Sequence, residues 1–201
     1  LLRATVLSRS TEPKLRAQAI EVLETLVTEI PTSVRLHEVL ARSYLTLGNR
    51  PKAREHAAKA AGADATSDAI LFHASLALDD KDVAEAEKQL IRLIAIDPNA
   101  MPTVELNARI LHAKNEDAEA VGLLERAFEQ HRNAADIQVV GPGILQVLIV
   151  LGQFEAADKI AKQVAQLGPK GQIAYAQFLA SRGKHKEAGE LLNAAFKAGA
   201  M

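Results

Sequence analysis

The 201-residue chain contains no cysteine and no tryptophan, and aromatic residues make up only 3% of it. The missing thiols exclude a disulfide scaffold, cysteine-ligated zinc or iron–sulfur sites and a cysteine nucleophile, but do not exclude histidine and carboxylate chemistry. An excess of either charge is missing too. With 24 Lys and Arg against 25 Asp and Glu, the net charge of −1 gives no electrostatic reason to expect nucleic acid or anionic lipid as a partner. No apolar run reaches the length of a membrane span. Runs of β-branched residues alternating with period two, the mark of strands, are scarce. No methionine opens the chain, which starts at Leu1 and reads as a mature fragment or part of a longer protein. What the chain does have is aliphatic material, 48% hydrophobic residues in all, which is ample for a packed core.

That material is periodic. A small residue, then Leu or Ala four later, then a small or apolar residue three further on, recurs as Ala19/Leu23/Leu26, Ala53/Ala57/Ala60, Ala86/Leu90/Leu93, Ala120/Leu124/Ala127, Ala157/Ala161/Val164 and Ala188/Leu192/Ala195. The leading alanines are spaced 34, 33, 34, 37 and 31 residues apart. The spacing within each triplet puts its members on one stripe of a helix. Upstream of these helices lie others, most legible over Val34 to Leu47, Ser67 to Leu78, Met101 to Lys114 and Ile144 to Leu151. Short turns join them at Gly48-Asn49-Arg50, Asp79-Asp80-Lys81, Asn115-Glu116-Asp117, Gly152-Gln153 and Gly183-Lys184, where Gly or Asn suits a left-handed C-cap. Pro31, Pro98 and Pro169 are expected to end second helices, because proline has no N–H with which to continue them. Ala41, Ala74, Ala108 and Ala176 on the first helices, and Ala53, Ala86, Ala120, Ala157 and Ala188 on the second, are expected to let paired helices approach closely.

The pattern resembles the tetratricopeptide repeat family, whose unit runs W-x2-L-G-x2-Y, then a small residue, A-x3-F and a closing Pro. In the second unit His37 stands at the Trp place, Leu40 and Ala41 at Leu-Gly, Tyr44 at Tyr, Gly48 at the turn and Ala53/Ala57 at Ala-Phe. The fourth unit keeps Asn107/Ala108/Leu111 without the aromatic, and Tyr175/Ala176/Leu179 with Gly183 and Ala188 restores the pattern in the sixth. The resemblance implies an all-α, right-handed α-α superhelix of antiparallel helix pairs. It would be a single solenoid of about six units, near 1–32, 33–66, 67–100, 101–134, 135–168 and 169–201.

It also implies function: the inner faces of first helices form a concavity that binds polypeptide. Carrying the second unit's phase along the chain places Arg35, Glu38 and Arg42 there, then Leu71, Ser75 and Leu78, then Glu105, Arg109 and His112, then Gln146 and Gln177. Arg42 and Arg109 are favoured because a guanidinium grips a carboxylate with two parallel bonds. The Lys/Asn clamp with which one subclass holds chaperone tails is absent. Where the clamp would lie, the chain has Arg35, Glu38 and Arg42, then Leu71 and Phe72, then Glu105 and Leu106. The stretch Ile137 to Leu151 is apolar on nearly every face and carries Gly141-Pro142-Gly143, so its helix is expected to break or begin at Pro142. Either it is core, flanked by neighbours on two sides, or Val139, Pro142, Ile149 and Val150 dock a partner's apolar segment.

Catalytic patterns are missing. The histidines at 37, 56, 73, 112, 131 and 185 show no spacing that sets two imidazoles on one helical face. No phosphate loop or G-x-S-x-G elbow occurs, and Glu85/Glu87 and Asp79/Asp80 read as solvated. His37 reads as a packing residue, and His185, beside Lys184 and Lys186, as solvent-facing. The expected function is a non-catalytic protein-interaction scaffold without cofactor or metal, whose partner is a protein or peptide. The alternative is the recruiting or regulatory region of a larger enzyme or of a bacterial envelope export or assembly apparatus. Nucleic acid and membrane insertion are not expected, a bacterial cytoplasm or envelope fits equally, and the compartment stays open. Leu1 to Ser10 reads as part of a leading helix and no polar helix caps Met201, so further repeats or self-association through the ends are expected.

Overall fold

The computed structural model describes residues 12–133 and 137–197, so the expected leading helix over Leu1 to Ser10 and the chain end at Met201 lie outside the described residues. Among the described residues all regular structure is helical. The chain divides into two compact units, Leu1–Pro98 and Asn99–Met201.

The first unit contains α1 (Pro13–Glu29), α2 (Val34–Thr46), α3 (Arg50–Ala60), α4 (Ser67–Asp79) and α5 (Val83–Ile96). Four of these helices start on a side chain that satisfies a free backbone N–H of the first turn. Ser33 accepts from Leu36 N, Asn49 from Lys52 N, Thr66 from Ala69 N and Asp82 from Glu85 N. Each such cap contributes about 1 kcal/mol. The core is aliphatic, built around Leu23, Leu36, Leu40, Ala41, Ala53, Ala57 and Leu76. Charges join α3 to its neighbours from outside that core. Arg50 reaches Asp80 and Arg54 reaches Asp82, each at 2.6 Å, while Arg92 donates to the carbonyls of Ala61 and Gly62 that follow α3.

The second unit contains α6 (Met101–Ala113), α7 (Asp117–His131), α8 (Ile137–Val150), α9 (Phe154–Gln166), α10 (Pro169–Ser181) and α11 (His185–Lys197). Its core runs through Leu124, Phe128, Ile144, Leu148, Ile160, Val164 and Leu179. The nine alanines expected at helix crossings are all buried, which is how close packing of paired helices is achieved in both units.

The turns repeat atom for atom. After α2, the N–H of Gly48 bonds to Leu45 O and that of Asn49 to Tyr44 O. The same pair of bonds is made by Lys81 and Asp82, Asn115 and Glu116, Gly152 and Gln153, and Gly183 and Lys184. This Schellman closure needs a left-handed residue. The glycines supply it at φ of 73° to 77°, Asn115 at 65°, and Lys81, a residue with no preference for that region, at 64°.

Two expectations about proline are corrected. Pro31 and Pro98 do follow the ends of α1 and α5, but Pro169 does not end α9. It opens α10, after α9 has stopped and the chain has turned at Gly168 with φ 128° and ψ −169°. Proline suits a first turn, whose N–H groups have no helical partner. Nor does the helix at Pro142 break or begin there, since α8 runs unbroken from Ile137 with Pro142 as its sixth residue. A helix-interior proline costs about 3 kcal/mol, but α8 buries Ile137, Val140, Ile144, Leu145 and Leu148, each stabilising by roughly 1.5–3 kcal/mol. Gly141 fits the same crossing: a Cβ there would stand 2.9 Å from Val164 and 3.4 Å from Phe128.

Candidate functional site

The candidate binding residues sit on the first helix of each pair. In the first unit, Arg35, Glu38 and Arg42 belong to α2, and Leu71, Ser75 and Leu78 to α4. Arg35 and Arg42 are exposed, and the other four are half-buried. The Arg35 guanidinium is 3.9 Å from the Glu38 carboxylate, and that of Arg42 lies over the Phe72 ring at 4.3 Å. The cation–π contact holds Arg42 against α4. Sequence reasoning noted Phe72 but not this contact, which joins residues 30 apart.

In the second unit, Glu105, Arg109 and His112 belong to α6, Gln146 and Ile149 to α8, and Gln177 to α10. Burial raises the Glu105 carboxyl above its usual range against the opposing pull of Arg109, and one carboxylate oxygen lies 3.6 Å from where a Cβ on Gly143 would stand. His112 Nδ1 is 2.6 Å from Asp117, so its ring ties the end of α6 to the start of α7.

Gln146, Ile149 and Gln177 come together. With Pro142 and Leu145 of α8, and Ala174, Phe178 and Ser181 of α10, they line a cleft of about 270 Å³ between two first helices. Its lining mixes apolar side chains with Ser181 and the exposed Gln146 and Gln177. A carboxamide both donates and accepts, so it can pair with a peptide backbone group of either kind. A larger cleft, about 480 Å³, lies between the second helices α7 and α9, but charged side chains that already pair across it, Lys159 with Glu125 at 2.8 Å, form its rim. The all-round apolar character of 137–151 therefore resolves into stripes. Pro142 and Ile149 face the cleft, Ile144 and Leu148 face the core, and Val139 and Val150 are 76% and 66% exposed without lining the cleft.

The histidines behave less simply than their spacing implies. His185 is exposed, whereas His37 is buried, as a packing residue must be. It meets His56, also buried, from the facing helix, with the two Nδ1 atoms 2.9 Å apart. Spacing within one helix misses this pair because the two residues are 19 apart in antiparallel neighbours. Glu85, read as solvated, is half-buried, accepts from Gln89 at 2.7 Å and lies 3.9 Å from the buried His73. Among the described residues no group of three His, Cys, Asp or Glu side chains is placed to hold a metal ion, and no helix is long and apolar enough to cross a membrane.

Helix pairs in tandem, closed by identical turns, define a helical repeat protein. Comparison with solved structures gives its type. The chain superposes on a tetratricopeptide repeat protein from Parabacteroides merdae with a TM-score of 0.66 at 11% identity, covering 98% of this chain and 77% of that one. It matches the C-terminal part of a repeat protein of this type from Cytophaga hutchinsonii with a TM-score of 0.61 at 17% identity, covering 99% and 79%. A thermophilic tetratricopeptide repeat protein from Thermus thermophilus gives 0.53 at 19%, covering 83% and 92%. No protein-family model and no curated protein matches the sequence. The chain has the tetratricopeptide repeat fold.

Proposed function

We propose that this chain is a non-catalytic protein-interaction scaffold that binds a polypeptide segment along the inner faces of its first helices. One observation carries the reading: Gln146 and Gln177, chosen from repeat phase, and Ile149, chosen from the apolar stretch, line one cleft together. An apolar side chain of a bound segment fills the cleft while the glutamines pair with its backbone. In the first unit Arg35, Glu38 and Arg42 carry charge on that unit's own first-helix face, with Leu71, Ser75 and Leu78 on the next first helix. Glu105, Arg109 and His112 belong to the face of the second unit.

Peptides selected from a displayed random library against the wild-type chain supply the ligands for a test. Gln146→Ala with Gln177→Ala is expected to weaken binding of the selected peptides about tenfold, the worth of one or two hydrogen bonds. Ile149→Asp is expected to abolish it, with helical circular dichroism retained in both variants. Selected peptides that bind all three proteins equally would refute the assignment of the cleft.

A further inference from the structure

A polar chain links α1, α2 and α3 around two buried histidines. His37 and His56 are only 5% and 4% exposed, and their Nδ1 atoms face each other at 2.9 Å. His37 Nε2 lies 2.9 Å from the carbonyl oxygen of Pro31. A carbonyl only accepts, so that nitrogen carries a hydrogen. His56 Nε2 is 3.5 Å from the Glu24 carboxylate on α1, which also accepts from Tyr44 Oη of α2 at 2.5 Å. Tyr44 stacks on the His56 ring and accepts in turn from Lys52 Nζ of α3 at 3.0 Å.

Proton counting shows what this arrangement tolerates. With both rings neutral, His37 must accept at Nδ1, so His56 donates there and turns a bare Nε2 lone pair toward Glu24. One added proton completes the chain: Nε2 of His56 then donates to Glu24, and the charge has its counterion in place. A second added proton puts hydrogens on both Nδ1 atoms. At 2.9 Å those hydrogens would stand about 1 Å apart between two like charges, so the contact cannot survive.

We propose that His37 and His56 form an acid-sensitive latch that closes α2 on α3 while the pair holds at most one extra proton, and opens when the second arrives. Every charged neighbour is already committed or lies on one side. Glu24 serves the first proton, Tyr44 and Lys52 bind Glu24, and Glu55 and Lys59 on α3 act on His56 in opposite senses. On the far side of α3, α4 carries His73, which faces Glu85 of α5 and the cations Arg54, Lys88 and Arg92. Burial is the largest influence on His56 and lowers its proton affinity, with Glu24 opposing. A proton that the folded pair has no room for leaves stability intact above the unfolded histidine value of about 6.5 and removes it as the pH falls below that. Opening the latch frees α2 and with it Arg35, Glu38 and Arg42.

His56→Gln tests the latch, because the next repeat has Gln89 at the equivalent place, already bonded to a carboxylate. Urea unfolding of the full chain, followed by circular dichroism at pH 7.5, 6.5, 5.5 and 5.0, compares the two proteins. One excluded proton costs wild type a factor of ten in the folding equilibrium per pH unit below about 6.5. Relative to His56→Gln it therefore loses about 30-fold by pH 5.0. Parallel pH profiles would overturn the proposal. Imidazole nitrogen chemical shifts of wild type give a second reading that does not depend on the variant folding. The fourth ring N–H of the pair is expected only together with loss of native α2 and α3 amide shifts. Two doubly protonated rings in an unchanged fold would also overturn it.

Discussion

Gly171 is the position where packing and helix propensity make opposite forecasts, so its replacement by alanine tests which governs the second unit. It is the third residue of α10, directly after the turn at Gly168. A Cβ built there would stand 1.8 Å from the carbonyl oxygen of Val164, 2.6 Å from its carbonyl carbon and 3.3 Å from Ala165 Cα. These are backbone atoms of α9, so no side chain can rotate away, and α10 must move by more than 1 Å to restore van der Waals contact. Propensity alone makes Gly→Ala favourable by about 1 kcal/mol in a helix interior. Overpacking against rigid neighbours costs roughly 1–3 kcal/mol and occasionally more. The displaced helix also carries Leu179 and Phe178 in the core, which puts the net effect of Gly171→Ala at about 1–2 kcal/mol of destabilisation. Gly189→Ala in α11 is the control, since nothing lies within 4 Å of a Cβ there, and it should stabilise by about 0.5–1 kcal/mol.

With no tryptophan in the chain, urea unfolding is best followed by circular dichroism. Hydrogen exchange of peptides covering α9 and α10 against those covering α2 to α4 then localises the effect, because stability in repeat arrays is a nearest-neighbour property. Opposite signs for the two glycine substitutions, with lost protection confined to the second unit, are expected. Gly171→Ala as stable as wild type would refute the close approach of α9 and α10.

Two further perturbations follow from the geometry. Lys81→Gly relieves a side chain held in the left-handed region and is expected to stabilise the first unit by about 1 kcal/mol, read as a higher urea midpoint with unchanged slope. Glu105 has a raised carboxyl through burial, so its contribution to stability is present below the unfolded value near 4.3 and is lost as the pH rises through the folded value. Glu105→Gln is therefore expected to stabilise the chain at pH 7 and to leave it unaltered at pH 4, checked by melting temperature at both.

Much of the fold is legible because the signals that specify it are local. Alanine triplets mark the close crossings, and three of the five turns advertise themselves with glycine. Lys81 shows where local reading stops: nothing in Asp79-Asp80-Lys81 names a left-handed residue, and only the position in the repeat requires one there. Pro169 and Pro142 show the converse, for a proline signal has two meanings. At the first turn it starts a helix, and further in, enough burial on the flanking turns carries the helix across it. The site is less legible because its contacts are between helices. Arg42 on Phe72, His37 against His56 and Glu85 beside His73 each join residues from different helices, and no spacing within one helix reports them.

The stretch 137–151 shows why apolar periodicity reads poorly in such a fold. An amphipathic helix on the surface of a globular domain has one buried stripe, so the moment of its sequence points at the core. A first helix in a solenoid has its own partner, plus neighbours on both sides along the repeat axis. For α8 those contacts use Ile144 and Leu148 toward the core and Pro142, Leu145 and Ile149 toward α10, leaving so little polar surface that the sequence has almost no direction. Gln146 breaks the apolar run at the cleft edge, one turn from both Pro142 and Ile149. Repeat phase, which singles out Gln146 and not Gln138, is the signal that points to the cleft, and Gln177 on α10 completes it from the next repeat.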